Sequence, residues 1–163
     1  MKPVWTLVFA FIFPLSLSAS EGVEPAVAEM VAEEIAPNPD EELVFLDARE
    51  IDVREFIWTR RLIVVMADTA DDPQFTRQLD ALRARDMEFV ERNAIVIFDA
   101  NPEDRSPLRQ VLRPRGFMTA ILDVDGEVKA RRPAVRTGRE LMAVIDRFPT
   151  RRQELLEQLP SGR

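Results

Sequence analysis

The stretch Leu62-Ile63-Val64-Val65-Met66-Ala67 decides the fold. It is a continuous apolar run rich in β-branched side chains, a pattern typical of a strand buried on both faces of a sheet. A second run of this kind, Ala94-Ile95-Val96-Ile97-Phe98, follows a segment with helical spacing of apolar residues. Two strands joined by a helix pair in parallel through a right-handed crossover. We therefore expect the two runs to lie side by side in one sheet.

Capping signals predict a helix after each of these strands. Asp72 precedes Pro73 in the arrangement that begins many helices, a polar cap followed by a proline in the first turn. Apolar residues at helical spacing predict that this helix continues to Asn93. Ser106 and Pro107 repeat the arrangement, so we expect a short second helix there.

The chain continues with a hairpin and a further helix. Residues 117–124 predict a third strand, and Asp125-Gly126 is a signal for a two-residue turn before a return strand at 127–131. Thr137 and Glu140 have the spacing of a capping box, which marks the start of a helix. The order β-α-β-α-β-β-α predicts an α/β fold, with helices on both faces of a central sheet of about four strands.

Residues 1–20 have the order of a secretory signal peptide. Lys2 is followed by an apolar run, by Pro14 and by small residues that suit cleavage near Ser18–Ser20. The apolar run is shorter than the ~20 residues that span a bilayer, so we expect a cleaved signal. This predicts a periplasmic or secreted protein with no transmembrane anchor in the mature chain.

The remaining chain divides into three parts by composition. Residues 21–55 form an acidic, proline-containing linker, within which residues 43–46 are either a short strand or a docking segment. Residues 56–155 form the folded domain, which is large enough to bury a core without disulfides. Residues 156–163 form a C-terminal tail.

Several residue types common in active sites are missing. The chain contains no cysteine, no histidine and no tyrosine. Without cysteine, thiol redox chemistry and Cys-based metal sites are excluded. Without histidine, the chain lacks the usual general base and the commonest transition-metal ligand. We therefore expect no catalytic residue, no metal and no cofactor.

Three segments of the domain resemble an uncharacterised bacterial envelope family whose domain also occurs in animal secreted sushi-repeat proteins. They are Trp58-Thr59-Arg60-Arg61-Leu62-Ile63-Val64-Val65, Asp72-Pro73-Gln74-Phe75-Thr76-Arg77-Gln78 and Ile145-Asp146-Arg147-Phe148-Pro149-Thr150-Arg151-Arg152-Gln153-Glu154. Residues 117–128 resemble the last hairpin of thioredoxins and peroxiredoxins. The resemblance covers residues 56–155 and implies a thioredoxin-like three-layer α/β/α fold, export and no settled activity.

The sequence departs from active thioredoxins at two places. Their redox cysteines lie where the first core helix begins, and the matching residues 68–73 contain no sulfur. Met118 stands where they have a cis-proline before the third core strand. The resemblance therefore implies the scaffold without its redox activity, because a fold does not carry a function with it.

Charge is distributed unevenly along the chain. Residues 21–104 contain 22 acidic and 8 basic residues, whereas residues 105–152 contain 12 basic and 5 acidic ones. The basic part supplies a candidate patch for an anionic ligand, consisting of Arg105, Arg109, Arg113, Arg131 and Arg132. Two alternatives stay open, an ordinary solvated surface and a face covered by the acidic segment 21–50.

Two other groups of residues admit both a structural and a functional interpretation. Asp68, Asp71 and Asp72 are either helix-capping acids or ligands of a divalent cation. The arginine pairs at 60–61 and 151–152 either bond carbonyls and acids within the fold or bind a ligand. We favour the structural interpretation for both groups.

The sequence thus predicts an exported, redox-inactive, thioredoxin-like domain that acts as a non-catalytic binding or structural module. The expected partner is an acidic protein or polymer of the cell envelope, and nucleic acid is not expected because the net charge is −7. The alternative function is a divalent-metal-dependent enzyme that uses Asp68, Asp71 and Asp72.

Overall fold

A five-stranded sheet organises the protein, whose computed structural model describes residues 38–159. The strand order is β1-β3-β2-β4-β5. The strands are β1 Phe45–Asp47, β2 Arg61–Met66, β3 Ala94–Asp99, β4 Met118–Leu122 and β5 Val128–Arg132. The predicted signal peptide and residues 21–37 of the predicted linker lie outside the described residues. No described helix is both long and apolar enough to cross a membrane.

The two runs that decide the fold lie side by side in the centre of this sheet. β2 pairs with β3 in parallel, from Arg61 opposite Ala94 to Met66 opposite Asp99. On its other side β2 pairs with β4 in antiparallel orientation. All six residues of β2 are buried, as expected for a strand covered on both faces.

Within residues 38–159, five α-helices cover the sheet. They are α1 Pro73–Arg83, α2 Asp86–Val90, α3 Pro107–Leu112, α4 Gly138–Ile145 and α5 Pro149–Gln158. The predicted caps are confirmed, because Asp72 accepts the N–H of Gln74 and Ser106 accepts that of Arg109. Thr137 and α4 form the predicted capping box. Short 3₁₀ helices lie at Val53–Phe56 and Pro102–Asp104.

Successive side chains of each strand point to opposite faces of the sheet, so the core consists of two apolar clusters, one on each face. Ile63, Val65 and Val96 pack on one face against side chains of α1, α2 and α4. Val64 and Ile97 pack on the other face with side chains of α3 and of residues 51–56. The predicted three-layer α/β/α arrangement is therefore confirmed.

The sheet has one strand more than the sequence order predicted. Phe45–Asp47 forms the edge strand β1 in parallel to β3, so residues 43–46 take the strand alternative rather than the docking alternative. Leu43 and Val44 are buried, one in each cluster. The ordered fold thus begins before the predicted boundary at residue 56, because these apolar side chains complete the core.

Two local expectations are wrong. The helix predicted to run from Pro73 to Asn93 is divided, since the backbone of Arg85 leaves the helical region and α2 begins at Asp86. The carboxylate of Asp86 accepts the N–H of Met87. The hairpin between β4 and β5 has a longer connection than the predicted two-residue turn, from residue 123 to residue 127.

Candidate functional site

The carboxyl ends of β2 and β3 meet at one edge of the sheet, which is where open α/β sheets bind their ligands. Here that edge is occupied by Arg109 of α3. Its Nη2 donates to Oδ1 of Asp99 at 2.8 Å and to the carbonyl oxygen of Ala67 at 2.6 Å. Arg109 is therefore an internal crosslink between the two strand ends and α3.

Asp99 is the buried half of this ion pair, with 3% of its side chain exposed. The hydroxyl of Ser106 donates to its Oδ2 at 2.5 Å, and the N–H of Asn101 donates to its Oδ1 at 3.1 Å. Burial raises the pKa of Asp99, but the hydrogen bonds from Arg109 and Ser106 outweigh burial, so its pKa lies below the ordinary value. The charge of Arg109 is compensated within the fold.

Of the three acids beside this edge, Asp68 and Asp72 make separate contacts. Asp72 caps α1 through its hydrogen bond from the N–H of Gln74, 2.7 Å long. Asp68 is exposed and lies 3.4 Å from Nη1 of Arg109. Across residues 38–159, no three acidic side chains are grouped so that they could hold a metal ion.

The structure does not bring the five predicted arginines together. Arg109 is tied to Asp99, and Arg105 and Arg113 lie exposed beyond the two ends of α3. Both flanking arginines have left-handed backbone conformations, with φ of 47° and 48°. Arg131 and Arg132 are consecutive residues of β5, so their side chains leave the sheet on opposite faces.

Arg132 belongs instead to a basic groove between the end of β5 and the outer side of α4. The groove has a volume of about 600 Å³. It is lined by Arg131, Arg132, Pro133, Arg136, Glu140, Leu141, Ala143, Val144 and Arg147. Four of these residues are arginines and one is acidic. The side chain of Arg131 leaves the sheet on the opposite face, so the guanidinium groups of Arg132, Arg136 and Arg147 are those that make the groove suited to anions.

Two guanidinium groups of the basic groove are uncompensated. Arg136 lies 3.2 Å from the carboxylate of Glu140. In the described part of the chain, by contrast, no carboxylate lies within 4 Å of Arg132 or Arg147. Guanidinium groups bind carboxylates and phosphates in a bidentate manner, which makes these two the free binding capacity of the groove.

Two lining arginines, Arg136 and Arg147, are not among the five predicted from the sequence. A signal for Arg147 is present in the sequence, because it follows the helical spacing of Glu140, Ala143 and Val144, although it lies in the turn after α4. Arg136 lies in the loop before α4, where no periodic pattern applies. Its proximity to Arg132 arises only when α4 packs beside β5.

A second polar cluster, which we call the buried clasp, consists of Arg61, Asp123, Thr150 and Glu154. Arg61 and Asp123 are ion-paired at 2.9 Å with no side-chain exposure on either partner. Nη1 and Nη2 of Arg61 donate to the two carboxylate oxygens of Glu154 at 3.0 and 2.7 Å. Nη2 also donates to Thr150, whose hydroxyl donates to Asp123 at 2.6 Å.

The buried clasp is structural rather than a ligand site. All donors of Arg61 are used within the fold, since Nη1 also donates to the carbonyl oxygen of Arg92 at 2.9 Å. Burial raises the pKa of Glu154, but hydrogen bonds and charge from Arg61 and Arg151 outweigh it, so the pKa lies below its ordinary value. The structural interpretation of Arg61 and Arg151 is confirmed.

The order of strands and helices defines a thioredoxin-like α/β domain, and the chain contains no cysteine that could form a redox centre. The chain matches the family described as Domain of unknown function (DUF4174) over residues 52–154, and it belongs to that family. The buried clasp connects two of the three segments on which the sequence resemblance rests. No curated protein matches the chain.

Two solved structures from Plasmodium yoelii are similar to this chain. Thioredoxin peroxidase I has a TM-score of 0.50 and 13% sequence identity, and the match covers 69% of this chain and 84% of that one. A Prx1a modified at the N-terminus, described as forming an artifactual octamer, has a TM-score of 0.47 and 14% identity over 65% of this chain and 82% of that one. At such identities the likeness to the first shows the fold alone.

Proposed function

We propose that this protein is a non-catalytic binding module whose basic groove takes carboxylate-rich ligands. The observation that carries this proposal is the pair Arg132 and Arg147, which have no acidic partner in the described chain and line one groove. The absence of cysteine and histidine from the whole chain supports a role in binding rather than in catalysis.

The groove differs from the remainder of the chain in sign of charge. The whole chain carries a net charge of −7, so the basic groove is a local positive region on an acidic protein. Non-specific attraction of polyanions is weak for such a protein, and an acidic ligand gains most from direct contact with the arginines. The affinity for the ligand should therefore fall as the salt concentration rises. Binding should nevertheless take place only in the groove.

Location is the second part of this proposal. The order of charge, apolar run and small residues over positions 1–20 supports export, as does the resemblance to an envelope family. We therefore place the protein in the periplasm or outside the cell, with an acidic envelope protein or polymer as its partner. N-terminal sequencing of the protein from fractionated cells tests this, and an intact Met1 on cytoplasmic material would contradict it.

The binding experiment uses the mature chain and a fluorescently labelled polyglutamate peptide. We expect saturable binding by anisotropy, and the double substitution Arg132→Gln/Arg147→Gln should weaken it at least tenfold. Hydrogen bonds to charged groups contribute about 1.5–3 kcal/mol each, and 1.4 kcal/mol corresponds to a factor of ten. Equal affinity of the variant and the wild type would refute the proposal.

The control is Arg54→Gln/Arg77→Gln, which removes the same charge from exposed residues of the Val53–Phe56 helix and α1. Neither residue lines the basic groove. This variant should bind polyglutamate within twofold of the wild type. If both variants lose affinity equally, the attraction arises from net charge and not from the groove.

A further inference from the structure

β5 is an edge strand, and the basic groove lies beside it. β5 pairs with β4 on one side, and no other described strand pairs with it. An edge strand presents a row of backbone N–H and C=O groups that can pair with another extended chain. The groove and this row share Arg131 and Arg132. Nη1 of Arg132 donates to the carbonyl oxygen of Arg131 at 2.9 Å, so a ligand that uses both replaces this hydrogen bond by one of its own.

From Ala130 to Arg132 the side chains of β5 alternate between the two faces of the sheet, whereas before Ala130 the pairing with β4 shifts by one residue. Ala130 belongs to the cluster that contains α4 side chains, so Arg132, two residues later, is on the groove side. Arg131 is on the opposite side, where its Nη1 donates to the carbonyl oxygen of Leu112 at 2.8 Å. Lys129 is already paired with Asp125 and Glu127.

We propose that the partner is an extended acidic polypeptide that adds to β5 as a sixth strand. This inference rests on the proposed function and specifies the conformation of its ligand. A strand added beside β5 lies about 4.8 Å from it, and its alternate side chains project over the basic groove. Acidic residues at every second position would meet Arg132, Arg136 and Arg147, while main-chain hydrogen bonds extend the sheet.

A second copy of this chain is a poor occupant of the same edge. Pairing two β5 strands would bring Lys129, Arg131 and Arg132 of each copy against the same residues of the other. Like charges placed opposite each other destabilise strand pairing. Positive charge on an edge strand thus discourages association of like copies and favours an acidic strand.

The test compares two peptides on the isotope-labelled mature chain. The first is a ten-residue peptide of alternating Glu and Thr. The second has the same sequence with N-methyl groups at every second residue, which keeps the charge and removes donors that strand pairing needs. We expect the first peptide to slow hydrogen exchange of β5 amides at least tenfold, and the second to bind at least tenfold more weakly.

The outcomes separate this inference from the function on which it rests. If both peptides bind equally and the β5 amides exchange as in the free protein, the groove binds acidic peptides without strand addition, and the inference is overturned. If neither peptide binds and polyglutamate does not bind either, the proposed function is overturned as well. Slowed exchange confined to β5, together with loss of binding in Arg132→Gln/Arg147→Gln, supports both.

Discussion

Replacing Arg61 by methionine should destabilise the protein more than any exposed substitution of the same kind. The change removes five hydrogen bonds of a side chain that is 0% exposed. It leaves the equally buried carboxylate of Asp123 with only Thr150 and the N–H of Val124 as partners. Removing one partner of a buried ion pair costs about 3–5 kcal/mol.

This loss is large against the stability of a small domain. Domains of this kind have unfolding free energies of about 5–15 kcal/mol, so Arg61→Met should remove a third or more of the total. The corresponding fall in melting temperature is roughly 12–20 °C. Urea unfolding followed by far-UV circular dichroism measures the free energy, and an unchanged m-value would show that the unfolding transition itself is the same.

The neighbouring residue supplies a matched control. Arg60 pairs with Asp40 at 2.6 Å, but 72% of that aspartate side chain is exposed. Exposed pairs contribute about 0–1 kcal/mol, so Arg60→Met should have little effect. In the double variant Arg61→Met/Asp123→Asn, the loss should be at least 1 kcal/mol smaller than the sum of the two single losses. If Arg61→Met costs no more than Arg60→Met, the reasoning about the buried clasp is refuted.

Three further substitutions test the packing, the capping and the acid stability of the domain. Gly138→Ala would place a Cβ 3.1 Å from the backbone oxygen of Ala81 and 2.9 Å from Cδ of the flexible Arg85 side chain, so we expect a loss of about 1 kcal/mol in urea unfolding, and unchanged stability would contradict the packing. Thr137→Ala removes the hydroxyl cap of α4 and should cost about 1 kcal/mol by the same measurement; a loss below 0.3 kcal/mol, roughly, would count against the capping box. The pKa of Asp99 is lower in the folded than in the unfolded chain, because the Arg109 hydrogen bonds outweigh burial. As the pH falls below about 4, the unfolded chain therefore takes up protons before the folded chain does. The free energy of unfolding decreases as the pH falls. Asp99→Asn should flatten this decrease below about pH 4, and an unchanged slope would show that Asp99 does not contribute.

The central part of the fold follows from local sequence signals. β2 and β3 were predictable because strands buried on both faces contain almost only apolar residues. The caps at Asp72 and Ser106 were predictable because the capping side chain lies next to the helix that it begins. The sequence does not decide whether β1 is a strand or a docking segment. Its three residues lie among acids, and they join the sheet by pairing with β3.

The candidate binding surface was less predictable, because its contacts connect distant parts of the chain. The four-residue spacing of Arg105, Arg109 and Arg113 suggested one exposed face. Arg109 is instead drawn inward by Asp99, and Arg113 lies in the left-handed conformation that ends α3. Arg131 and Arg132 are adjacent in sequence, but a strand sends adjacent side chains to opposite faces. Only the packing of α4 beside β5 identifies the groove.

The buried clasp also has a consequence for the order in which the domain can mature. Arg61 lies in an early strand, whereas its bidentate partner Glu154 comes 93 residues later. Chains generally fold domain by domain during synthesis, and here the cation of the central strand meets Asp123 first and its second countercharge, Glu154, only in α5. A nascent chain that lacks α5 can pair Nε of Arg61 with Asp123, but it leaves Nη2 of Arg61 without its partners Thr150 and Glu154. We therefore expect the domain to remain open to chaperones and proteases until its final helix has been made.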